Sequence, residues 1–544
     1  MKMLMLGGTA LISVILAGQA AAATCSVEAL TALKIADVSI ASAATVAAVP
    51  GTPEHCLVQG SVSTRGEGAP EGKAGFVMQL PTGWQQRFFF MGVGGNAGNF
   101  TPSSNPVDRA AALGKGYATI VTDTGHKGNG TDASWVLDAN GKRNPATIID
   151  FFHRAAHDVT IAGKKLAEAF YASRIQHAYF DGCSTGGRMA MNEAELYPED
   201  FDGIIAGDPA MDYRSNIGRI IVQRVQLASP EAYIPATQLP IIDKAVRAQC
   251  DALDGVKDGL IQNPAACKFK PDVLLCKGAA AADCLTAPQL ATLKAYLAPI
   301  RDAAGKVVYP GQSPTDLAGM KGAAAWSIGQ TPPDFSKPMA PWGEDPRYAP
   351  SGWNYARQQI SYWLGYGTTA KFDAFDVDPR TGKVGAAALK HFEDIFAGLT
   401  TREPSKMDRF VKLGKKMIMY HGFSDPAISP FRTTQFYREF AGRNGGYARA
   451  QQSLRLFMVP GMAHCSAGPG PENFDTLTAL ENWVEKGKAP TSIMATATEP
   501  GAMKRTMPLC PFPAQAVYKG TGDVNDGANW SCTANRKLLE NGKS

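Results

Sequence analysis

A serine in a glycine-rich turn is the first candidate for chemistry in this 544-residue sequence. Ser184 stands in the stretch Gly182-Cys-Ser-Thr-Gly186, which matches the Gly-x-Ser-x-Gly pattern of a nucleophilic serine. The stretch follows a short apolar run and precedes a helical one, and glycines permit the sharp strand–turn–helix bend that exposes the hydroxyl. A glycine turn with an uninvolved serine is the alternative, but this context favours a nucleophile.

A nucleophilic serine needs a base, and the base needs a carboxylate that orients it. Asp425 and His464 each follow an apolar run near the end of the chain, and they stand in the order serine, acid, histidine that is typical of this turn. We therefore predict that His464 takes the proton of Ser184 and that Asp425 accepts a hydrogen bond from the other imidazole nitrogen. His421 is a rival base, but it precedes the acid, and we expect it to be structural.

A cysteine stands next to each of these two residues, because Cys183 precedes Ser184 and Cys465 follows His464. The two could be free thiols or one long-range disulfide. The serine and histidine must approach to about 2.6–3.2 Å, and their neighbours could then have the Cα separation of about 4.4–6.8 Å that a disulfide needs. We predict the Cys183–Cys465 disulfide, which also disfavours a cysteine nucleophile.

The tetrahedral intermediate of such a reaction needs hydrogen-bond donors for its oxyanion. The backbone N–H of Thr185 directly follows the serine at a helix N-terminus and is one candidate. The glycine-rich loop from 91 to 98 follows an apolar run and can supply the other donor. We predict Gly95, with Gly94 as the next choice.

Short, continuous apolar runs alternate with helical stretches and must position these residues. Continuous runs rich in β-branched and aromatic residues are typical of strands buried on both faces, and strand–helix alternation predicts an α/β fold with a mainly parallel sheet. The predicted helices are 147–170 and 188–196, and the predicted strands are 74–81, 87–93, 117–123, 177–182, 201–207, 415–422 and 454–459.

The alternation is interrupted between about 211 and 403, where prolines, glycines, tryptophans and four cysteines accumulate. We therefore predict a catalytic domain in two parts, 24–211 and 404–544, with an inserted domain at 212–403. Residues 1–23 have the basic start, the short apolar run and the small residues of a secretory signal peptide. An uncleaved membrane anchor is the alternative, but the run is shorter than the roughly 18 residues that a span needs.

Charge and cysteine content narrow the class of protein further. The formal net charge is only +5 and the basic residues are dispersed, which does not indicate a nucleic-acid partner. An even number of cysteines, ten, in an exported chain predicts disulfides. Spacing does not determine their connectivity, but the remaining eight fall into neighbouring pairs, Cys25–Cys56, Cys250–Cys267, Cys276–Cys284 and Cys510–Cys532. We expect a secreted or periplasmic protein without a membrane span.

Three aspartates are concentrated in one short stretch of the insertion: Asp251, Asp254 and Asp258. Calcium prefers six to eight oxygen ligands from carboxylates and backbone carbonyls of a tightly turned loop. A pair of Asp-Gly turns with solvated carboxylates is the alternative. The flanking Cys250–Cys267 pair would close the loop, and this favours structural calcium.

Taken together, the Cys-Ser pair of the serine turn, the His-Cys pair and the aspartate-rich loop resemble the tannase and feruloyl esterase family. The resemblance covers nearly the whole mature chain and implies an α/β-hydrolase fold with a large inserted lid domain. It implies Ser184, Asp425 and His464 as the catalytic triad. For calcium it implies the three aspartates together with the carbonyl oxygens of Val256 and Leu260, and these two carbonyls follow by spacing alone.

The family resemblance also implies the substrate class, esters of aromatic acids. We expect a serine carboxylic ester hydrolase for hydroxycinnamic, feruloyl-type esters that acts through an acyl-enzyme. A tannase or a mono(2-hydroxyethyl) terephthalate hydrolase-like esterase is the alternative, and a non-catalytic calcium-stabilised binding protein is a remote one. Aromatic side chains in 350–367 could face an aromatic acyl group, and Arg357 is the candidate for gripping a substrate carboxylate.

Overall fold

A computed structural model describes residues 23–319, 321–343, 345, 347–498 and 503–534. The predicted signal peptide lies outside the described residues, except for Ala23, whose backbone amide donates to the carbonyl of Phe170. Within the described ranges, no helix has the length and apolar character needed to cross a membrane.

Before the insertion, four consecutive strands are followed by helices and strands that alternate from residue 106 to residue 207, as the sequence predicts for that part. The predicted helix 147–170 is two α-helices joined by a π-helical turn at Asp150–Arg154. The strands are β1 (Val38–Val46), β2 (His55–Thr64), β3 (Gly72–Pro81), β4 (Arg87–Met91), β5 (Tyr117–Thr122), β6 (His177–Cys183) and β7 (Gly203–Gly207), and the helices are α1 (Val27–Ala32), α2 (Pro106–Ala112), α3 (Pro145–Ile149), α4 (Ala155–Tyr171) and α5 (Thr185–Leu196).

The insertion (residues 212–403) forms its own small sheet and its own helices, and one apolar cluster lies wholly within it, between Val222 and Ile328. Its strands do not join the main sheet. The helices are α6 (Ser215–Gln226), α7 (Leu239–Cys250), α8 (Ala287–Leu297), α9 (Ser351–Gln358) and α10 (Ala386–Phe396), and the strands are β8 (Ile300–Arg301), β9 (Val307–Tyr309), β10 (Val377–Asp378) and β11 (Lys383–Val384).

The chain then returns to the main sheet and ends in two small antiparallel sheets. The helices are α11 (Asp408–Lys412), α12 (Pro430–Arg443), α13 (Tyr447–Ala450) and α14 (Thr476–Lys486). The strands are β12 (Lys416–Gly422), β13 (Leu454–Val459), β14 (Asn473–Phe474), β15 (Ile493–Thr496), β16 (Thr506–Leu509), β17 (Ala514–Tyr518) and β18 (Trp530–Ala534).

The main sheet has the strand order β1-β2-β3-β5-β4-β6-β7-β12-β13. From β5 to β13 all neighbouring pairs are parallel, whereas β1, β2, β3 and β5 pair antiparallel. The seven predicted strands are confirmed, and the antiparallel edge strands β1 and β2 were not predicted. Strands β7 and β12 pair directly although the whole insertion separates them in sequence, so the ends of β6, β7, β12 and β13 meet at one edge.

Helices cover both faces of this sheet, which explains the uninterrupted apolar runs. On one face, the hydroxyls of Tyr117 and Tyr179 donate to glutamates of α14. On the other, Phe180 stacks on Phe90 with ring centroids 5.0 Å apart, and Lys164 of α4 lies over the nearby Phe201 ring. Because successive side chains of a strand point to opposite faces, each strand needs apolar residues at every position.

All ten cysteines are paired, and no free cysteine occurs among the described residues. The pairs are Cys25–Cys56, Cys183–Cys465, Cys250–Cys267, Cys276–Cys284 and Cys510–Cys532. Four of these disulfides close short loops, and the second joins segments 282 residues apart in sequence.

Candidate active site

Ser184 occupies the sharp turn between β6 and α5, with φ 64° and ψ −120°. The turn leaves no room for larger neighbours, because a Cβ on Gly182 would lie 2.4 Å from the backbone of Gly186 and one on Gly187 would lie 2.2 Å from the carbonyl oxygen of Gly207. A serine with positive φ in such a turn is the arrangement that exposes the hydroxyl above the sheet. The glycines are therefore required by close packing, as the sequence pattern indicates.

Ser184, His464 and Asp425 form one chain of hydrogen bonds. The distance from Ser184 Oγ to His464 Nε2 is 2.9 Å, and that from His464 Nδ1 to Asp425 Oδ2 is 2.7 Å. An ionised carboxylate can only accept, so Nδ1 carries the proton and Nε2 accepts from the serine hydroxyl. The structure thus brings the three predicted residues together in the tautomer that a general base requires.

Asp425 is completely buried and is oriented from two sides. Its Oδ1 accepts from the backbone amides of Ala427 and Ile428 at 2.7 and 3.0 Å, and its Oδ2 accepts from His421 Nε2 at 3.1 Å as well as from His464. Burial alone would raise the pKa of Asp425, but the two histidines lower it well below its usual range. His421 therefore contacts the acid, and it does not contact Ser184 as a rival base would.

The Cys183–Cys465 disulfide holds the serine turn against the histidine loop, with Cα atoms 6.0 Å apart. Asp208, at the end of β7, supports the same junction, because its carboxylate accepts from the backbone amides of Cys465 and Gly422. Sequence reasoning did not single out Asp208. One feature of the sequence could have indicated it: Asp208 directly follows a predicted strand, and that strand ends at the same edge of the sheet as the strand before Ser184.

Thr185 and Gly95, the two predicted oxyanion-hole residues, line the same cavity as Ser184. The Thr185 hydroxyl donates to the Gly95 carbonyl at 2.6 Å, which fixes the glycine loop against the start of α5. Neither backbone N–H has a hydrogen-bond acceptor within the described ranges. Gly95 has φ +60°, and a Cβ there would lie 2.1 Å from the carbonyl oxygen of Gly130, so this position requires glycine. Gly94, the second choice, precedes it in the same loop.

The insertion closes the cavity over the serine. The cavity holds about 50 Å³, and Trp326 and Tyr355 of the insertion line it. The Trp326 ring meets the His464 ring edge-on, with centroids 4.8 Å apart. An outer groove of about 770 Å³ shares Gly95 and Tyr355 with the inner cavity. Trp326 was missed as a site residue, because nothing local distinguishes it from the other tryptophans of the insertion.

Most aromatic residues of the stretch 350–367 are not in the cavity. Trp353 is buried against Trp342, and Trp363 packs against aromatic residues of the catalytic domain. Tyr366 is exposed. Tyr355 is the member of this group that lines the cavity, where its hydroxyl donates to the Gly130 carbonyl at 3.0 Å.

The arginine in the cavity is Arg219, and it is not the predicted Arg357. The Arg357 guanidinium donates to the carbonyls of Thr368 and Ala370, outside the set of residues that line the cavity. Arg219 donates to the Asn216 side chain and to the Ala427 carbonyl, and it lies over the Tyr355 ring. In the described part of the chain its guanidinium forms no ion pair with a carboxylate.

The aspartate-rich loop is closed by the Cys250–Cys267 disulfide, and each of its three carboxylates accepts from a backbone amide of the loop. Burial raises the pKa of Asp254 to about 6, and the charges of the two neighbouring aspartates contribute. The buried Asp258 Oδ2 lies 2.9 Å from Arg505 Nη1 and accepts no hydrogen bond from a described residue.

These groups have the chemistry that calcium prefers but are not gathered around one point. The carbonyls of Val256 and Leu260 accept no hydrogen bond within the described ranges, as expected for carbonyls available to a cation. However, among the described residues, the groups of three or more histidine, cysteine, aspartate or glutamate side chains whose ligand atoms lie within 4.8 Å of one another do not include this loop. The loop therefore has oxygen ligands of the type that calcium prefers, but its three carboxylates do not converge on one point.

Comparison with known proteins gives a consistent result. The sequence model described as tannase and feruloyl esterase matches residues 56–533. The mono(2-hydroxyethyl) terephthalate hydrolase of Piscinibacter sakaiensis is 32% identical, over 93% of this chain and 89% of its own length. A probable feruloyl esterase of Arthroderma benhamiae is 31% identical, over 84% of this chain and 81% of its own.

Solved structures show the same architecture. Feruloyl esterase B from Aspergillus oryzae superimposes with a TM-score of 0.75 at 25% identity, covering 92% of this chain and 97% of that one. The tannin acyl hydrolase from Aspergillus niger superimposes with a TM-score of 0.71 at 22% identity, covering 95% and 97%, and it supports the fold alone. The α/β-hydrolase fold expected from the sequence is confirmed.

Proposed function

The chain belongs to the tannase and feruloyl esterase family and is a carboxylic ester hydrolase, and from this premise we propose that it cleaves esters of aromatic acids through a Ser184 acyl-enzyme. The observation that carries the proposal is the hydrogen-bonded chain from Ser184 to His464 to Asp425 inside a closed cavity. A hydroxyl is a weak nucleophile until a neighbouring base accepts its proton, and this geometry provides that base.

In the first half of the reaction, Ser184 Oγ attacks the ester carbonyl carbon while its proton moves to His464 Nε2. The carbonyl oxygen becomes an oxyanion, and the backbone amides of Thr185 and Gly95 would donate to it. When the C–O bond breaks, the leaving alkoxide takes the proton from His464. Water then attacks the acyl-enzyme with the same histidine as base, which releases the acid and restores Ser184.

For the acyl group, the family relatives support an aromatic acid, with hydroxycinnamoyl esters as the first choice. The inner cavity of about 50 Å³ would have to widen when such a group binds, because ligand pockets are about 300–1,000 Å³. Trp326 and Tyr355 offer ring faces and edges in the cavity, and Tyr213 and Asn216 offer polar atoms for ring substituents. The outer groove that begins at Gly95 and Tyr355 would accept the alcohol.

A monoester of terephthalic acid is the second candidate, and Arg219 is the observation that favours it. A guanidinium keeps its charge even when burial lowers its pKa, as burial does here. A cation that faces a substrate cavity without an ion-pair partner suits a carboxylate on the far side of an aromatic ring. The mono(2-hydroxyethyl) terephthalate hydrolase relative is named for a substrate of this kind.

The test is the rate of release of aromatic acid from methyl ferulate, methyl gallate and mono(2-hydroxyethyl) terephthalate by the wild-type protein and by Ser184→Ala. We expect release from at least one of the three, and a loss of several orders of magnitude in the variant, because triad members act as a unit. If Ser184→Ala retains more than a few per cent of the activity while folded, the nucleophile is assigned wrongly.

We propose further that the aspartate-rich loop binds structural calcium through Asp251, Asp254, Asp258 and the carbonyls of Val256 and Leu260. A divalent cation would relieve the repulsion among three carboxylates in one loop, and it would bind the carbonyl oxygens of Val256 and Leu260, which accept no hydrogen bond from a described residue. The bound ion would hold the loop closed, and it would take no part in the ester chemistry.

We also propose that the protein is exported, to the periplasm or beyond, after removal of residues 1–23. Five disulfides among the described residues support an oxidising compartment. N-terminal sequencing of the protein from cell fractions tests this directly, and a start near Thr24 is the expected result.

A further inference from the structure

A second pair of ionisable side chains, Asp208 and His421, lies directly behind the triad. His421 Nε2 is 3.1 Å from Asp425 Oδ2 and 3.8 Å from Asp208 Oδ1, so the imidazole stands between two carboxylates. Both side chains are completely inaccessible to solvent. Four ionisable groups, two aspartates and two histidines, therefore share one buried cluster, and the reaction described above uses only two of them.

The hydrogen bonds of His421 determine where one of its protons is. Its Nε2 faces the Asp425 carboxylate and the Ile428 carbonyl at 3.2 Å, which can only accept, so Nε2 carries a proton. Its Nδ1 is 2.8 Å from the Thr433 hydroxyl, which can accept or donate. The charge of His421 therefore depends on the carboxylates around it.

Among the described residues, the cations that lower the pKa of the Asp208 carboxyl are the two histidines, His421 first and His464 second. Asp208 follows β7 with φ 34° and accepts from the amides of Gly422 and Cys465, which orient an ionised carboxylate. In the described part of the chain no lysine or arginine forms an ion pair with it, and burial raises the pKa of its carboxyl. His421 has the larger effect of the two histidines on Asp208, and the charges of Asp208 and Asp425 raise the pKa of His421 against the effect of burial.

We propose that His421 is a protonated positioning residue, an imidazolium held between Asp208 and Asp425 that orients Asp425 and limits the basicity of His464. The proposal rests on the proposed ester hydrolysis at Ser184.

The charge balance of the cluster gives the reason. Two buried carboxylates beside a neutral His421 would strongly favour the imidazolium form of His464, and a histidine that is already protonated cannot accept the serine proton. With His421 charged, one carboxylate is neutralised, and the cluster passes from a net charge of −1 to zero when His464 takes the proton. The other charged or titratable groups that act on Asp425 are Arg219 and Tyr296, on α6 and α8.

The first test is the acid limb of the pH profile of kcat/KM, which reports the protonation of the catalytic base in the free enzyme. His421→Gln keeps a neutral donor near Asp425 but removes the positive charge. The acid limb should therefore move to higher pH by about one unit, as expected for unit charges several ångströms apart. Asp208→Asn removes a negative charge, so it should move the acid limb to lower pH. If Asp208 and His421 had only a structural role, the two substitutions would lower activity or stability but would not move the acid limb in opposite directions.

The second test does not depend on activity. In protein labelled with 15N-histidine, the signals absent from His421→Gln identify His421, and both of its nitrogens should have imidazolium shifts at neutral pH. A neutral His421, or an unmoved acid limb in His421→Gln, would overturn the proposal. Should Asp208→Asn fail to fold, these two measurements still decide it. If the wild-type protein hydrolyses no ester while His421 is an imidazolium, the proposed function fails and the charge assignment stands.

Discussion

Cys183 and Cys465 are joined by a disulfide that ties the residue before Ser184 to the residue after His464, with Cα atoms 6.0 Å apart. Cys183 lies at the end of β6, and Cys465 lies in the loop that follows β13. Strands β6 and β13 are not neighbours in the sheet. Asp208, at the end of β7, accepts from the amide of Cys465 at the same junction. The distance between the serine and histidine side chains therefore depends on a covalent link outside the strand pairing.

Removal of this disulfide should damage catalysis more than folding. In the chain-entropy model a bridge across a loop of 282 residues contributes about 5–6 kcal/mol at most, whereas a displacement of about 1 Å in a reacting group can cost about 100-fold in rate. The double variant Cys183→Ala with Cys465→Ala should thus lose activity beyond its loss of folded protein, measured as kcat per folded molecule. Iodoacetamide labelling of Cys183 in active, unreduced enzyme would show that no bridge forms.

Chelation should lower thermal stability and spare the chemistry. If calcium holds the loop around Asp254, treatment with EDTA should lower the melting temperature, and added calcium should restore it by mass action. The rate of ester cleavage at low temperature should be unchanged, because the loop supplies no group to the cavity. The calcium proposal would be contradicted if metal analysis of undialysed protein found no calcium, or if EDTA did not change the melting temperature. The loop would then be only a pair of Asp-Gly turns.

Arg219 should discriminate between charged and neutral acyl groups. A charge-assisted hydrogen bond contributes about 1.5–3 kcal/mol, so Arg219→Gln should lower kcat/KM for mono(2-hydroxyethyl) terephthalate by about 10- to 100-fold. The rate with methyl benzoate, which has no second carboxylate, should change much less. Arg357→Gln is the matched control, and it should change kcat/KM for the two substrates by the same factor. Equal losses on both substrates in Arg219→Gln would mean that the arginine supports the fold of the cavity.

Asp212 should control stability at the start of the insertion. Its buried carboxylate accepts from Arg214 Nε at 2.8 Å and from Arg432 Nε of α12 at 2.9 Å. Breaking a buried ion pair costs about 3–5 kcal/mol, so Asp212→Asn should lower the melting temperature clearly at neutral pH. The matched control is Asp408→Asn, which breaks an exposed pair with Arg443 and should cost at most about 1 kcal/mol.

The pH dependence of the Asp212 effect follows from the direction of its shift. Burial would raise the pKa of Asp212, but Arg214 and Arg432 lower it below its usual value. A group with a lowered pKa in the folded state contributes stability above its unfolded pKa of about 4 and loses it as the pH falls through the folded value. The difference in melting temperature between wild type and Asp212→Asn should therefore shrink below pH 4, and a constant difference would contradict the ion-pair explanation.

The serine turn, the buried strands and the catalytic triad could be predicted from the sequence because each depends on a short local pattern of residues. The turn around Ser184 needs glycines at definite positions because the backbone bends sharply there, and that requirement is visible in five consecutive residues. The buried strands are visible for the same reason, since a strand covered on both faces must be apolar at every position. His464 and Asp425 were found because each follows such a strand, and parallel strands that share a sheet present their ends at one edge.

The tertiary structure alone decided which other residues reach the site. Trp326 and Arg219 carry no local signal, because their positions depend on how the insertion packs over the sheet edge. The candidate Arg357 does not line the cavity for the same reason: it and Arg219 both lie on helices of the insertion, and only the packing of those helices determines which guanidinium faces the cavity. The sequence indicates a structural His421 near the acid, but only the tertiary structure puts its imidazole between the carboxylates of Asp208 and Asp425. A sequence pattern specifies the conformation of a few neighbouring residues, whereas contacts between segments hundreds of residues apart are set by the free energy of the whole packed chain.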